Sequence, residues 1–245
     1  CVAIDSPSAL TDPAVELAAQ WTAEPFDAES ALAAVARAER GAPSPATLAW
    51  CEFLRAFCSL RTGDSDAALR HIDLGLAHAD AAGEARVDLL CRYLRAFRQS
   101  LGGEHAVALA AFERILDDRS GALTAFDRAV VSGNFGTCLW MAGSLQEAAK
   151  RLFDCVETMR SEGRLHRAMV AMSNLGQLLT DLGDLTSAWE VYQDLERMPE
   201  AQQMSRTRLA LPIMGLGIHL ARRDYEAAYR ALPAVEEVIA AQPLV

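Results

Sequence analysis

The clearest pattern of two helices joined by a turn lies in residues 173–192, which read SNLGQLLTDLGDLTSAWEVY. Gly183 stands at the predicted turn, where a helix can end in the left-handed conformation that costs glycine least. Ala188 and Tyr192 follow this glycine by five and nine residues, and Gly176 precedes it by seven. The small residues let two helices approach closely, and the large residue fills the space towards the next pair. The stretch therefore predicts an antiparallel helix pair.

The same pattern recurs along the chain with a period of 40 residues. The turn position is occupied by Gly63, Gly103, Gly143, Gly183 and Arg223. The alanine that follows the turn recurs as Ala28, Ala68, Ala108, Ala148, Ala188 and Ala228. The small residue that precedes the turn recurs as Ala56, Ala96, Gly136 and Gly176. The large apolar residue recurs as Leu32, Ile72, Phe112, Leu152, Tyr192 and Leu232. A fixed period of this length indicates a repeat architecture.

These repeats predict an all-α fold, a right-handed α-α superhelix in which about six helix pairs stack as a solenoid. No segment alternates apolar and polar residues with period two, so strands are not predicted. We expect the helix pairs at about 12–40, 44–81, 83–117, 121–161, 164–197 and 202–241. No boundary interrupts the repeats, and we therefore expect a single solenoid domain over residues 1–245.

The repeat resembles the tetratricopeptide repeat (TPR) family, in a bacterial variant whose period is longer than the usual ~34 residues. Residues 173–192 carry the family's Leu-Gly, Gly-Asp, alanine and aromatic positions in the correct order, and the resemblance is clearest over residues 46–197. The aromatic residue that the family places near the start of each first helix is mostly absent. The resemblance implies a TPR-like α-solenoid that binds proteins or peptides and does not itself catalyse a reaction.

The composition is that of a soluble globular protein, with 245 residues, 51% hydrophobic residues and a formal net charge of −10. The excess of acidic residues disfavours nucleic acids and anionic membrane surfaces as partners, because both attract clustered Lys and Arg. No segment approaches the ~20 apolar residues that a membrane-spanning helix needs. Lys150 is the only lysine beside 22 arginines, a bias typical of a GC-rich bacterial genome.

The cysteines predict reduced, buried thiols in a cytoplasmic protein rather than a disulfide framework. Five of them lie in apolar helical segments without a C-x-x-C pair: Cys51, Cys58, Cys91, Cys138 and Cys155. Cys1 has two readings, the first residue of a trimmed fragment or the mature start of a bacterial lipoprotein. The five histidines lack partners at metal-ligand spacing, and no P-loop, H-E-x-x-H or G-x-S-x-G motif is present. We therefore predict no metal, no cofactor and no catalytic residue.

Two asparagines, Asn134 and Asn174, hold equivalent positions one period apart. In the TPR family the first helix of each pair lines a concave groove, and asparagine at this place holds the backbone of an extended peptide. The resemblance therefore implies that both side chains contact a peptide ligand, since a carboxamide can donate and accept hydrogen bonds at once. The alternative is that both satisfy backbone groups inside the repeat, and the sequence does not decide between the two.

Other side chains would line the same groove. Its carboxyl-terminal half would be more polar, with Thr137, Trp140 and Gln177. Its amino-terminal half would be aromatic, with Phe57, Tyr93 and Phe97. Arg61 would be placed to meet a carboxylate. Core packing is the more frequent role for such aromatic residues, and a solvated position is the more frequent one for such an arginine.

The repeats and the resemblance together predict a protein- or peptide-binding regulatory module. We expect it to be the sensory or interaction part of a larger bacterial signalling protein, of the diguanylate cyclase or transcription regulator type. A catalytic output domain could be attached, but this chain itself is not expected to be an enzyme. The alternative is a stand-alone cytoplasmic adaptor or chaperone-like scaffold that binds a peptide in the concave groove. Apolar faces on the terminal repeats would also allow a homodimer.

Overall fold

The structure is a computed structural model that describes residues 12–199, 201 and 205–240, and these contain helices but no strand. Within these residues the α-helices with assigned bounds are α1 Pro13–Trp21, α2 Ala28–Glu39, α3 Pro45–Thr62, α4 Ser65–Ala82, α5 Ala85–Leu101, α6 His105–Leu116, α7 Ala125–Met141, α8 Leu145–Ser161, α9 Leu165–Leu182, α10 Leu185–Arg197, α11 Ser205–Ala221 and α12 Tyr225–Ala240. The prediction of an all-α fold with about six helix pairs is confirmed. Cys1 lies outside the described residues.

The helices form two compact units, the first extending to Arg98 and the second starting at Gln99. In the first unit, α3 packs mainly on α4, and α1 contacts both α2 and α3. In the second unit, α9 lies between α8 and α10 and also contacts α7 and α11. That the whole chain makes one continuous solenoid domain stays a prediction.

The predicted turn glycines end the first helices of the pairs. Gly63, Gly103, Gly143 and Gly183 have φ angles of 81°, 83°, 87° and 81°, in the left-handed region that favours glycine. After Gly183, the N–H of Asp184 donates to the carbonyl oxygen of Leu179 at 3.0 Å, which is the Schellman pattern of a helix C-terminus. Arg223 takes the same backbone conformation, with φ of 60°, although it carries a side chain.

Two second helices end in the same way. Gly83 closes α4 with φ of 66°, and Gly163 follows α8 with φ of 70°. Each of these glycines lies halfway between two of the first-helix turns. In these two pairs one helix with its turn fills half of the period, and the two helices are equal in length, with 18 residues each in α3 and α4 and 17 residues each in α7 and α8.

The small residues before the turns allow the close helix packing that the sequence predicts. A Cβ atom at Gly136 would lie 3.1 Å from the Cβ of Arg151 and 3.2 Å from the carbonyl oxygen of Ala148. A Cβ atom at Gly176 would overlap the Sδ of Met214 on α11. A side chain at position 136 would push the neighbouring helix away by a few tenths of an ångström, and one at position 176 would displace the Met214 side chain.

The five cysteines inside the described ranges are buried, as predicted, and their thiols are free. Burial raises the pKa of the Cys91 and Cys155 thiols to about 12 and that of Cys51 to about 11. The thiolate form is therefore not populated near neutral pH, and these side chains behave as small apolar residues.

No helix among the residues with assigned positions has the length and apolar character that crossing a membrane requires.

Candidate functional site

Five of the predicted ligand-binding residues lie on α7 and α9, which are the first helices of successive pairs and contact each other. All five are half-buried: Asn134, Thr137, Trp140, Asn174 and Gln177. The two helices are also joined by a side-chain hydrogen bond, in which the Nε1 of Trp140 donates to the Oδ2 of Asp181 at 2.8 Å. We call the surface formed by these five residues the α7–α9 face.

On α7 the polar side chains bond to their own helix. The Nδ2 of Asn134 donates to the carbonyl oxygen of Val130 at 3.0 Å. The Oγ1 of Thr137 donates to the carbonyl oxygen of Gly133 at 3.2 Å. Both bonds reach back four residues, a local arrangement that competes with external partners. For Asn134 this geometry supports the alternative that the amide serves the backbone inside the repeat.

On α9 the two side-chain amides are differently placed. Within the part of the chain that the structure describes, neither Asn174 nor Gln177 has a side-chain hydrogen-bond partner. Their neighbours Ser173 and Thr180 each donate to a carbonyl oxygen of their own helix at 2.9 Å. A carboxamide without a partner offers two donors and an acceptor to a ligand. The α9 half of the face therefore has the free hydrogen-bonding capacity that peptide binding requires.

Phe57 and Arg61, two of the other predicted residues, lie in the first unit. Phe57 is 7% exposed, and its ring meets Trp21 and Phe26 edge to face at centroid distances of 5.0 and 4.9 Å. The exposed Arg61 guanidinium lies 5.5 Å from the centre of the Phe26 ring and 5.8 Å from that of Phe57. Arg61 therefore covers an aromatic cluster through cation–π contacts, and Phe57 belongs to the packing beneath it.

The remaining two predicted residues, Tyr93 and Phe97, also lie in the first unit. Their rings stack at a centroid distance of 6.3 Å with an interplanar angle of 21°. Tyr93 is 2% exposed and Phe97 is half-buried. The burial of Phe57 and Tyr93 agrees with core packing, the alternative that the sequence left open for these aromatic residues.

A partly buried charged cluster, which the repeat pattern did not predict, joins α2, α3 and α4. Glu52, which is 7% exposed, accepts a hydrogen bond from the Nη1 of Arg55 at 3.0 Å and lies 2.5 Å from the Nδ1 of His71. Arg55 also donates to both carboxylate oxygens of Glu39 at 2.7 and 2.6 Å. The hydrogen bond to Glu39 raises the pKa of the Arg55 guanidinium. The available signal was two charged residues in the middle of the apolar helix α3.

The repeat pattern also did not predict a groove that lies in the second unit. It has a volume of about 450 Å³ and is lined by residues of α8, α9 and α10. We call it the α8–α10 groove. Phe153 stands on its wall with 55% of its surface exposed. An aromatic residue on an otherwise polar helix face was the signal that could have located it.

No group of three or more His, Cys, Asp or Glu side chains that could hold a metal ion occurs among the residues with described positions.

No protein-family model matches the chain, and no curated protein matches it in sequence.

Solved structures of TPR-like repeat proteins do resemble the chain in fold. The Rap protein complexed with Competence and Sporulation Factor has a TM-score of 0.64 at 13% identity, over 92% of this chain and 73% of that one. A kinesin-light-chain-type protein from Podosopora anserina, with nearly identical TPR-like repeats, has a TM-score of 0.60 at 15% identity, over 76% of this chain and 92% of that one. BtubC from P. vanneervenii has a TM-score of 0.59 at 17% identity, over 96% and 95% of the two chains. The predicted TPR-like solenoid fold is confirmed.

Proposed function

We propose that this chain is a peptide-binding regulatory module and that an extended peptide lies across the α7–α9 face. The observation that carries the proposal is the pair of half-buried amides on α9, Asn174 and Gln177, which have no partner within the described residues. A peptide backbone presents N–H and C=O groups that a carboxamide meets together. Asn134 stands one period before Asn174 and would exchange its bond with Val130 for one with the peptide.

Two further observations support peptide binding on this face. Trp140 is half-buried and is held by Asp181, so its ring is a rigid apolar surface beside the amides. The Rap protein, which has the same fold, was solved in complex with Competence and Sporulation Factor. In the first unit, Arg61 and Phe97 remain candidates for a separate ligand contact, because Phe57 and Tyr93 lie inside the packing.

The role we propose for this module is the interaction part of a larger bacterial signalling protein in the cytoplasm, without catalysis by this chain. A stand-alone adaptor is the second candidate. The two differ in the size of the native polypeptide, which an immunoblot of the source cells measures. A band much larger than the 26.5 kDa of this chain supports an attached output domain. A band near that mass supports the adaptor.

The peptide site can be tested with a peptide selected from a random display library against the whole chain. We expect Asn174→Ala to weaken the binding of that peptide about tenfold, the loss of one or two hydrogen bonds to a ligand. The midpoint of thermal unfolding should change by less than about 2 °C, because the amide makes no bond within the described chain. Fluorescence anisotropy and circular dichroism measure the two quantities.

The matched control is Gln193→Ala, which removes a half-buried amide from α10, outside the α7–α9 face. Its affinity for the selected peptide should equal that of the wild type. Equal affinity of the Asn174→Ala variant and the wild type would reject the proposed site. A large loss of stability in that variant would instead assign Asn174 to the packing of the repeat.

The last helix supports a homodimer as a second proposed contact. Tyr225, Tyr229 and Ile239 on α12 are 66%, 77% and 64% exposed. On α8, Met159 stands two periods before Ile239 and is 1% exposed, with α9 packed against that helix. Within the described residues no further helix follows α12 to cover its apolar stripe in the same way. We propose that the apolar stripe of α12 packs on a second copy of the chain.

A further inference from the structure

The α8–α10 groove has an apolar floor. The floor is formed by Val156, Met172, Leu175, Leu179 and Val191. Along α8 the lining extends from Ala149 to Arg160, which corresponds to a length of roughly 16 Å at the rise of an α-helix. Since short turns join α8 to α9 and α9 to α10, the two walls run in the same direction. A volume of about 450 Å³ falls within the ~300–1,000 Å³ of typical ligand sites.

Phe153 on the groove wall is not required by the packing of the repeat. The positions one or two periods away are Asp73, Glu113, Gln193 and Pro233. None of these is a large apolar residue. In the other repeats this position therefore carries a polar or small residue. A phenyl ring that is 55% exposed at the edge of an apolar channel is the kind of surface that marks an interaction site.

The charges around the groove favour a cationic occupant. Arg160 and Asp194 pair with each other across one end, with the Nη2 and Oδ2 atoms 3.4 Å apart. The other three charged residues of the lining are Lys150, Glu157 and Glu190, and none of them has an ion pair within the described ranges. The unpaired groups therefore carry a net charge of about −1, in a chain whose formal net charge is −10.

The apolar floor also restricts the backbone conformation of an occupant. An extended peptide would bring unpaired N–H and C=O groups against Leu175 and Val191, which cannot bond to them. An α-helix satisfies its own backbone groups and presents only side chains. Recognition in an apolar channel between two helices is therefore better suited to a helix with one apolar face.

We propose that the α8–α10 groove is a docking site for an amphipathic helix of a protein partner. The apolar face of that helix packs on Phe153 and the floor, and its Lys or Arg side chains pair with Glu157 and Glu190. This site is lined by α8 and α10, the second helices of their pairs, and by residues of α9 that do not belong to the α7–α9 face. It does not depend on the peptide proposed for that face.

Two synthetic helical peptides serve as probes. Both carry leucines at i, i+3, i+4 and i+7, and the remaining positions are lysine in one peptide and glutamate in the other. We expect the Leu/Lys peptide to bind the wild-type chain and the Leu/Glu peptide to bind at least about tenfold more weakly. Phe153→Gln places the residue of position 193 at position 153, and it should weaken the Leu/Lys peptide about tenfold. The double variant Glu157→Gln, Glu190→Gln should weaken it about threefold.

The matched control is Val107→Gln on α6, because Val107 is 53% exposed and lies outside the groove. This variant should bind the Leu/Lys peptide as the wild type does. Equal affinity of the Phe153→Gln variant and the wild type overturns the proposal, since the peptide would then be held by diffuse charge alone. Equal affinity for the two peptides overturns the cationic assignment. Self-association of the chain that Phe153→Gln abolishes would make a second copy the occupant and also overturn the proposal.

Discussion

Arg223 carries the clearest local strain in the described chain. Its φ angle of 60° is the only positive one at a residue other than glycine within the described ranges. Gly63, Gly103 and Gly143 hold the same position of the repeat without a Cβ atom. A left-handed conformation costs a residue with a side chain roughly 1–2 kcal/mol.

We expect Arg223→Gly to raise the free energy of unfolding by about 1 kcal/mol, because the relief of strain exceeds the entropy that glycine adds to the unfolded chain. Urea unfolding followed by circular dichroism measures the change. Gly183→Ala is the reciprocal variant and should lower stability by about 1 kcal/mol. An Arg223→Gly variant that unfolds at lower urea than the wild type would contradict this account.

At the scale of single residues, the sequence predicted the positions of turn residues better than the hydrogen-bond and packing partners of side chains. The 40-residue period correctly predicted the turns at Gly183 and its equivalents. A residue in the left-handed conformation is usually glycine, and glycine can be recognised directly in the sequence. The partner of the Asn134 amide could not be predicted, since bonding to Val130 or to a ligand depends on the rotamer. The sequence also left open whether Phe57 and Tyr93 bind a ligand or pack in the core. The type of a residue does not reveal whether its face of the helix is covered by a neighbouring helix.

The charged cluster of Glu39, Glu52, Arg55 and His71 ties three helices together, so its effect belongs to the scale of elements. Arg55 bonds to α2 through Glu39 and to its own helix through Glu52, which in turn meets His71 of α4. Removing one partner of a buried ion pair leaves an uncompensated charge. The cluster therefore stabilises the packing of α2 and α4 on α3 only while it is complete.

We expect Arg55→Met to lower the free energy of unfolding by about 2 kcal/mol, since it leaves Glu52 largely buried beside Glu39. The control is Arg37→Met, which breaks the Arg37–Glu16 pair between side chains that are 49% and 43% exposed. That variant should cost less than about 1 kcal/mol. Urea unfolding measures both. Equal losses in the two variants would show that the burial of Glu52 carries no particular weight.

The helices themselves were predictable, and the contacts between them were not. A period of 40 with glycine turns predicts helix ends closely, because helix length and turn position are local properties. Gly83 and Gly163 also mark half-period turns in the sequence, although the 40-residue pattern of the first-helix turns does not predict them. The Trp140–Asp181 bond and the α8–α10 groove depend on how neighbouring helices are inclined, which no local pattern records.

At the scale of the whole molecule, α12 leads to a prediction about assembly. We expect the wild-type chain to form a dimer in sedimentation velocity experiments at about 100 µM, with a dissociation constant in the micromolar range. Tyr229→Glu should raise that dissociation constant at least about tenfold, because Tyr229 is the most exposed large side chain of the stripe and a carboxylate there opposes burial.

Val107→Glu is the control for the added charge, since it places a carboxylate on an exposed apolar position of α6. It should leave the dissociation constant unchanged. A wild-type chain that stays monomeric at about 100 µM would reject the homodimer, and so would a dimer that Tyr229→Glu does not weaken.

The single solenoid domain predicted for residues 1–245 stays a prediction, because the described helices group into two compact units.

The position of Lys150 has a practical consequence for handling the protein. It is the only lysine of the chain, and it stands on the edge of the α8–α10 groove. Coupling of the chain to a sensor surface through amines would therefore use this side chain or the terminal amine. Protein molecules attached through Lys150 would have the α8–α10 groove facing the support. The first helices of the pairs, α7 and α9, would stay accessible. A binding assay on such a surface would favour ligands of the α7–α9 face, whereas attachment through a terminal tag would present both surfaces.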